Sequence, residues 1–89
     1  MPKKKLWSVY IVRCSDDSLY TGITTDIKRR VYEHNSTKRG AKYTRSRRPV
    51  YLAYSHRCRG KAEALVSEHG FKRMSKKEKE EFIKEIGNG

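Results

Sequence analysis

Two short stretches near the start of the chain, LWSVYIV at 6–12 and SLYTGI just after it, are rich in aromatic and β-branched residues. The polar run SDDS at 15–18 separates them. This pattern predicts two antiparallel strands joined by a tight turn. In the first strand Val9 and Ile11 alternate with Tyr10, which places Tyr10 on the opposite sheet face from both. The next stretch, TTDIKRRVYEHN, changes to a helical period, with Thr25 or Asp26 as its cap and Asp26 complementing the helix dipole. The stretch STKRGAKYTRSRR contains Gly40, has no clear period and reads as a basic loop. Pro49 closes it, and VYLAYSH follows as a third strand. From Lys61 the helical period returns, with Ala64, Leu65, Glu68, Phe71 and Lys72 inside an arc of about 120°. Gly70 weakens that helix by about 1 kcal/mol relative to Ala and marks a place for a break or an irregular last turn. Ser75 and Glu78 form an S-x-x-E capping box that opens a last helix, with Phe82 and Ile86 facing inward and Gly87, Asn88 and Gly89 ending it.

Three polar residues fall on helix faces that should be buried. Ile27, Arg30, Val31 and His34 share an arc of about 100°, and Glu68 sits in the middle of the later apolar stripe. Burying a charge without a partner is costly, so each needs a reason. One reading is structural, with Arg30 paired to Glu68 or Glu33 and His34 hydrogen-bonded at the core edge. The other is chemical. A lone carboxylate in a basic domain suits Mg²⁺ or Mn²⁺, which often takes one or two protein carboxylates and completes its shell with water and phosphate. An arginine at the same centre stabilises charge on phosphorus, and a histidine or tyrosine relays or accepts a proton from attacking water. Together the three fit phosphodiester hydrolysis.

The charge distribution points the same way. The 89 residues carry 22 Lys and Arg against 10 Asp and Glu, for a formal charge of +12. Residues 28–61 hold twelve of the basic side chains and only Glu33 as an acid, interleaved with Tyr32, Tyr43, Tyr51 and Tyr54. Basic groups neutralise phosphates and exposed aromatics stack on bases, so nucleic acid is the expected partner. Lys28, Arg29, Lys42, Arg45, Arg47 and Arg48 are the candidates for tracking its backbone. A solvated surface kept for solubility would mix both signs, and a membrane partner would call for a basic amphipathic helix, which is not evident. No apolar run approaches the roughly 20 residues that span a bilayer, and the start lacks a secretory pattern, so a cytoplasmic protein is expected. Cys14 and Cys58 lie far apart, with no metal-ligand or redox spacing, and read as buried thiols. With 35% hydrophobic residues the core is small. The expected organisation is a basic arm at 1–5, one domain at 6–86 and a tail at 87–89.

In order and spacing these residues resemble the GIY-YIG nuclease superfamily, in particular its small stand-alone bacterial proteins, which are also similar to the catalytic subunit of the eukaryotic Slx structure-specific endonuclease. Ser8, Val9 and Tyr10 stand where the GIY triplet ends in its tyrosine; Tyr20, Thr21 and Gly22 stand where YIG does. Arg30 matches the family's catalytic arginine, His34 follows one turn later within VYEHN, and Glu68 matches the metal-binding glutamate. LYTGITTDIKRR is the most specific stretch, and the first motif departs to SVY and the second to YTG while both tyrosines and the glycine stay.

The resemblance implies an α/β (α+β) sandwich, a central three-stranded antiparallel sheet flanked by helices in the order β-β-α-β-α-α. It also implies a metal-dependent DNA endonuclease, structure-specific and linked to repair or recombination. Tyr10, Tyr20, Arg30, His34 and Glu68 are the expected catalytic set, with Gly22 giving close approach to a helix or the substrate backbone and Glu68 holding one Mg²⁺ or Mn²⁺. Tyr10, assisted by Tyr20 or His34, would orient or deprotonate the attacking water. A neutral tyrosine is a poor base at pH 7, so its role is either positional or depends on Arg30 and metal-bound water favouring the phenolate. The competing reading is a non-catalytic nucleic-acid-binding module that keeps the fold and the basic face and acts beside a larger partner.

Overall fold

The computed structural model describes residues 6–87; the basic arm at 1–5 and the last two tail residues lie outside them. Strand β1 (Ser8–Arg13) runs between β2 (Leu19–Thr24) and β3 (Tyr51–Arg57), antiparallel to both, in the order β2-β1-β3. The turn between β1 and β2 closes with Cys14 N–H donating to Ser18 O at 2.8 Å. Asp17 there takes the left-handed conformation (φ 69°), which Asp tolerates better than most residues. As the alternation requires, the sheet has two unlike faces. Tyr10, Val12, Cys14 and Val50 pack with Tyr20, Ile27 and Val31 on one; Val9, Cys58 and Ala64 pack with Trp7, Ile23 and Phe71 on the other.

Helix α1 (Ile27–Ser36) covers the first face through Ile27 and Val31, and α3 (Lys61–Lys72) covers the second. Asp26 is the α1 cap, its carboxylate accepting from Arg29 N–H at 3.1 Å, while Thr24 Oγ1 accepts from Asp26 N–H at 3.1 Å. The order β-β-α-β-α-α is therefore observed, with one addition. A single helical turn, α2 (Lys42–Arg45), stands inside the stretch expected to be only basic loop. Four residues are too few to show a period, so pattern alone missed it.

Helix α3 continues through Gly70 to Lys72, and no break occurs there. Its buried contact is narrower than the apolar stripe implied, because Ala64 is fully buried while Leu65 is 45% exposed. Helix α4 (Lys76–Gly87) begins at the expected capping box: Glu78 N–H donates to Ser75 Oγ at 3.1 Å and Ser75 N–H to Glu78 Oε1 at 2.9 Å. Phe82 packs edge-on against Tyr54 and Phe71 at 5.0 and 5.2 Å between ring centres, but Ile86, expected to face inward, is 55% exposed. Both cysteines are free and buried, as expected. Among the described residues no helix is long and apolar enough to cross a membrane.

Helix α4 is also held by charge. Arg13 forks onto Glu80 with two bonds of 2.7 Å, and Lys76 Nζ donates to the same carboxylate at 3.0 Å. These partners lower the Glu80 pKa to about 2, Arg13 most of all. A carboxylate whose folded pKa lies below its unfolded value stabilises the fold above the unfolded pKa and loses that contribution as the pH falls. Stability is therefore expected to fall between about pH 4.5 and 2. In urea titrations at pH 7, 4.5 and 3, Glu80→Gln should be less stable by about 1 kcal/mol at pH 7. It should also show a shallower acid slope than wild type; equal slopes would mean that the fork does not hold α4.

Candidate active site

Tyr10 is the centre of the site. It lies on the middle strand, opposite Gly22 of β2, and is 1% exposed. Its ring runs directly over Gly22: a Cβ there would stand 2.5 Å from Tyr10 Oη and 2.8 Å from Cζ, so only glycine leaves room. The ring tip reaches His34, in the last turns of α1, with Oη 2.7 Å from Nε2. Tyr20 meets the same imidazole edge-on at 5.5 Å between ring centres and stacks on Tyr43 of α2 at 5.7 Å. Arg30, one turn before His34, donates through Nη1 to Glu33 Oε1 at 3.0 Å and to Arg39 O at 2.7 Å.

Burial and charge set the protonation states. Burial pushes the Tyr10 phenol up to about 12; the Arg30 guanidinium pulls it back down, and Tyr20 and Glu68 add smaller upward pushes. Burial, reinforced by the Arg30 charge, pushes His34 down to about 4, so its imidazole is neutral near pH 7. The Glu68 carboxylate, on α3, pairs with Lys72 Nζ at 3.4 Å and its side chain is 20% exposed.

The structural reading of these polar residues is right in part. Arg30 pairs with Glu33, not Glu68, and His34 is hydrogen-bonded on both ring nitrogens. Yet the rings of Tyr10, Tyr20 and His34 pack together, and Arg30 stands one turn before His34 with its charge lowering the Tyr10 pKa; Glu68 lies on α3. Among the described residues no group of three or more His, Cys, Asp or Glu converges. Glu68 is the one carboxylate of the expected set, and a hard cation held by it would have to complete its shell with phosphate and water.

Of the basic residues, Lys28, Arg29, Lys42 and Arg45 are exposed. Arg47 lies over the Tyr43 ring at 3.9 Å and pairs with Asp16 at 3.0 Å. Arg48 departs from the expected backbone-gripping surface. It turns inward, donating to His34 O at 2.6 Å and to the carbonyls of Glu33 and Thr37, because the last carbonyls of α1 have no helical partner. Beside these stand Thr44, which was not anticipated, and Asn35, which follows His34 in the sequence. Thr44, fully buried on α2, stands 2.9 Å from His34 Nδ1, and Asn35 binds both backbone groups of Val50 at 2.6 and 3.0 Å. Nothing local in the sequence distinguishes Thr44 from the other hydroxyls of the basic stretch.

Residues 6–81 match the GIY-YIG catalytic domain family. The chain belongs to the GIY-YIG family. It is 52% identical over 83 residues to a UPF0213 protein of Desulfotalea psychrophila, covering 93% of this chain and 76% of that one. With a UPF0213 protein of Streptococcus agalactiae it shares 49% over 80 residues, 90% of each chain. The solution NMR structure of a protein from E. faecalis superposes with a TM-score of 0.65 at 40% identity, covering 100% of this chain and 94% of that one. That of a UPF0213 protein from Bacillus halodurans gives 0.58 at 40% identity, covering 89% and 83%. GIY-YIG proteins form a nuclease family that acts on nucleic acid and generally uses divalent metal ions. Of the residues named from the sequence, Tyr10 and Tyr20 stand on β1 and β2, Arg30 and His34 on α1 and Glu68 on α3.

Proposed function

We propose that this GIY-YIG protein is a divalent-metal-dependent endonuclease that hydrolyses phosphodiester bonds in DNA. On this reading it prefers branched or flapped structures and serves repair or recombination. The observation that supports it most is the Tyr10 hydroxyl, held at 2.7 Å by a neutral His34 and acted on by both the Arg30 and the Glu68 charge. A phenol buried only to fill a core needs neither.

Glu68 would hold one Mg²⁺ or Mn²⁺, which when bound supplies positive charge at the scissile phosphate and acidifies water. The chain's own residues do the rest. Tyr10 is protonated in the free protein, so it first aligns the attacking water by hydrogen bond; to act as base it must release its own proton to solvent, a loss that the Arg30 charge favours by lowering its pKa, and the phenolate so formed then takes the water's proton. Arg30 also offsets the charge that grows on the phosphate oxygens. Tyr20 packs against His34 and limits its movement. Lys28, Arg29, Lys42 and Arg45 contact the backbone on either side, which gives salt-sensitive affinity and little base preference.

The test is cleavage of branched, flapped, single-stranded and duplex DNA by purified protein with Mg²⁺ or Mn²⁺. Glu68→Ala and Arg30→Ala should each cut about a hundredfold more slowly than wild type. Cleavage that survives both substitutions overturns the site. Salt-sensitive binding to every substrate with cleavage of none identifies a binding module acting beside a larger partner.

A further inference from the structure

The short helix α2 adds a group to the site that the reading above does not use. Thr44 is the one buried residue of that helix, fully removed from solvent, and its hydroxyl lies 2.9 Å from His34 Nδ1. Ala41 N–H, at the head of the same helix, donates to the same nitrogen at 3.3 Å. A backbone amide can only donate, so Nδ1 must accept, and a neutral imidazole that accepts at Nδ1 carries its proton on Nε2. The Thr44 hydroxyl has one hydrogen and a second acceptor, Ala41 O at 2.9 Å, but that carbonyl already takes the Thr44 and Arg45 amide hydrogens at 3.0 and 3.1 Å, so the hydroxyl hydrogen can turn to Nδ1 without leaving Ala41 O unpaired; the alternative tautomer would leave the Ala41 amide with no acceptor on the ring.

The chain around α2 is built to keep these donors in place. Gly40 passes so close to α1 that a Cβ would stand 2.7 Å from Glu33 O and 2.9 Å from His34 Cα. Arg48 ties the end of the segment to His34 O and Thr37 O, and Asn35 grips Val50 through both backbone groups. Gly40, Asn35 and Arg48 thus hold the segment between α1 and β3 down on the turn that carries His34.

We propose that Thr44 is a positioning residue that, with the Ala41 amide, holds His34 in the Nε2–H tautomer so that His34 donates to Tyr10 Oη. The hydrogen of Tyr10 is then not taken up by His34 and is free for the attacking water or the phosphate, while the oxygen gains a donor that favours its anionic form. The effect on cleavage rests on the nuclease reading; the tautomer does not.

The test uses the full chain, ¹⁵N-labelled and without metal. Long-range ¹H–¹⁵N correlation of the imidazoles separates the two tautomers, and His34→Gln assigns the signal among the three histidines. Wild type should show His34 protonated at Nε2. Thr44→Val keeps shape and removes the hydroxyl; it should give a tautomer mixture and cut DNA about tenfold more slowly, and Thr44→Ser should restore both. If the valine variant does not fold, judged by its amide spectrum, Thr44→Ala replaces it. A wild-type His34 protonated at Nδ1, or imidazole signals unchanged by loss of the hydroxyl, overturns the proposal whether or not the protein cuts DNA. Absence of cleavage by wild type on every substrate overturns the nuclease reading instead, and the imidazole signals alone then decide the role of Thr44.

Discussion

Tyr10→Phe is expected to lower DNA cleavage by about a thousandfold, within the range that loss of a positioned acid or base produces, while leaving the fold in place. The ring fills the core between Val12 and Val50, and phenylalanine keeps that contact. What disappears is the hydroxyl at 2.7 Å from His34 Nε2 and whatever it aligns. Because His34 then keeps a buried Nε2 with no partner, stability should drop by about 1 kcal/mol, small beside the loss of rate. Single-turnover cleavage and thermal melting of the same sample separate the two. A phenylalanine variant that cuts like wild type would show that Tyr10 is core packing and that the chemistry lies elsewhere.

Gly22→Ala is expected to cost about 2 kcal/mol, or a drop in Tm of about 10 °C for a domain of this size, and to reduce cleavage as well. The new methyl would stand 2.5 Å from Tyr10 Oη and 2.8 Å from Cζ, closer than atoms can approach. Relief is not available locally. The ring belongs to the central strand and cannot swing out, and Gly22 is fixed opposite it by the β1–β2 register. The strain must therefore separate the strands or push the hydroxyl off His34, and the second route removes activity. Shortening the ring side tests the cause: Tyr10→Leu placed in the Gly22→Ala background should recover stability but not cleavage. If Gly22→Ala melts like wild type, the glycine is not there to admit the tyrosine.

Much of this site is readable before any coordinates. Period-two alternation separates Tyr10 from Val9 and Ile11, and the two sheet faces are occupied accordingly. Helical period puts Arg30 and His34 beside Ile27 and Val31, where polar residues need a reason; His34 bonds Tyr10, and Arg30 bonds Glu33 while its charge lowers the Tyr10 pKa. The partner of Arg30 is less readable. Glu33 and Glu68 are equally available on paper, and only the packing of α3 on the far sheet face leaves Glu68 with Lys72. The basic stretch 36–48 is least readable of all. Its Lys and Arg residues look alike in sequence, yet Arg48 turns in to bind α1 carbonyls while Lys42 and Arg45 stay in solvent.

The sequence by itself determined the order β-β-α-β-α-α, without the single turn α2, and put Tyr10, Tyr20, Arg30, His34 and Glu68 forward as candidates, because alternation, capping signals and motif spacing are local properties of the chain. Only the tertiary structure decided which charges pair, that Ile86 and Leu65 stay exposed, and that Thr44 and the Ala41 amide close on His34. Those contacts join residues that no short period links. They form because the sheet and α1 leave particular donors and carbonyls buried, and a buried polar group takes whichever partner the fold brings within reach.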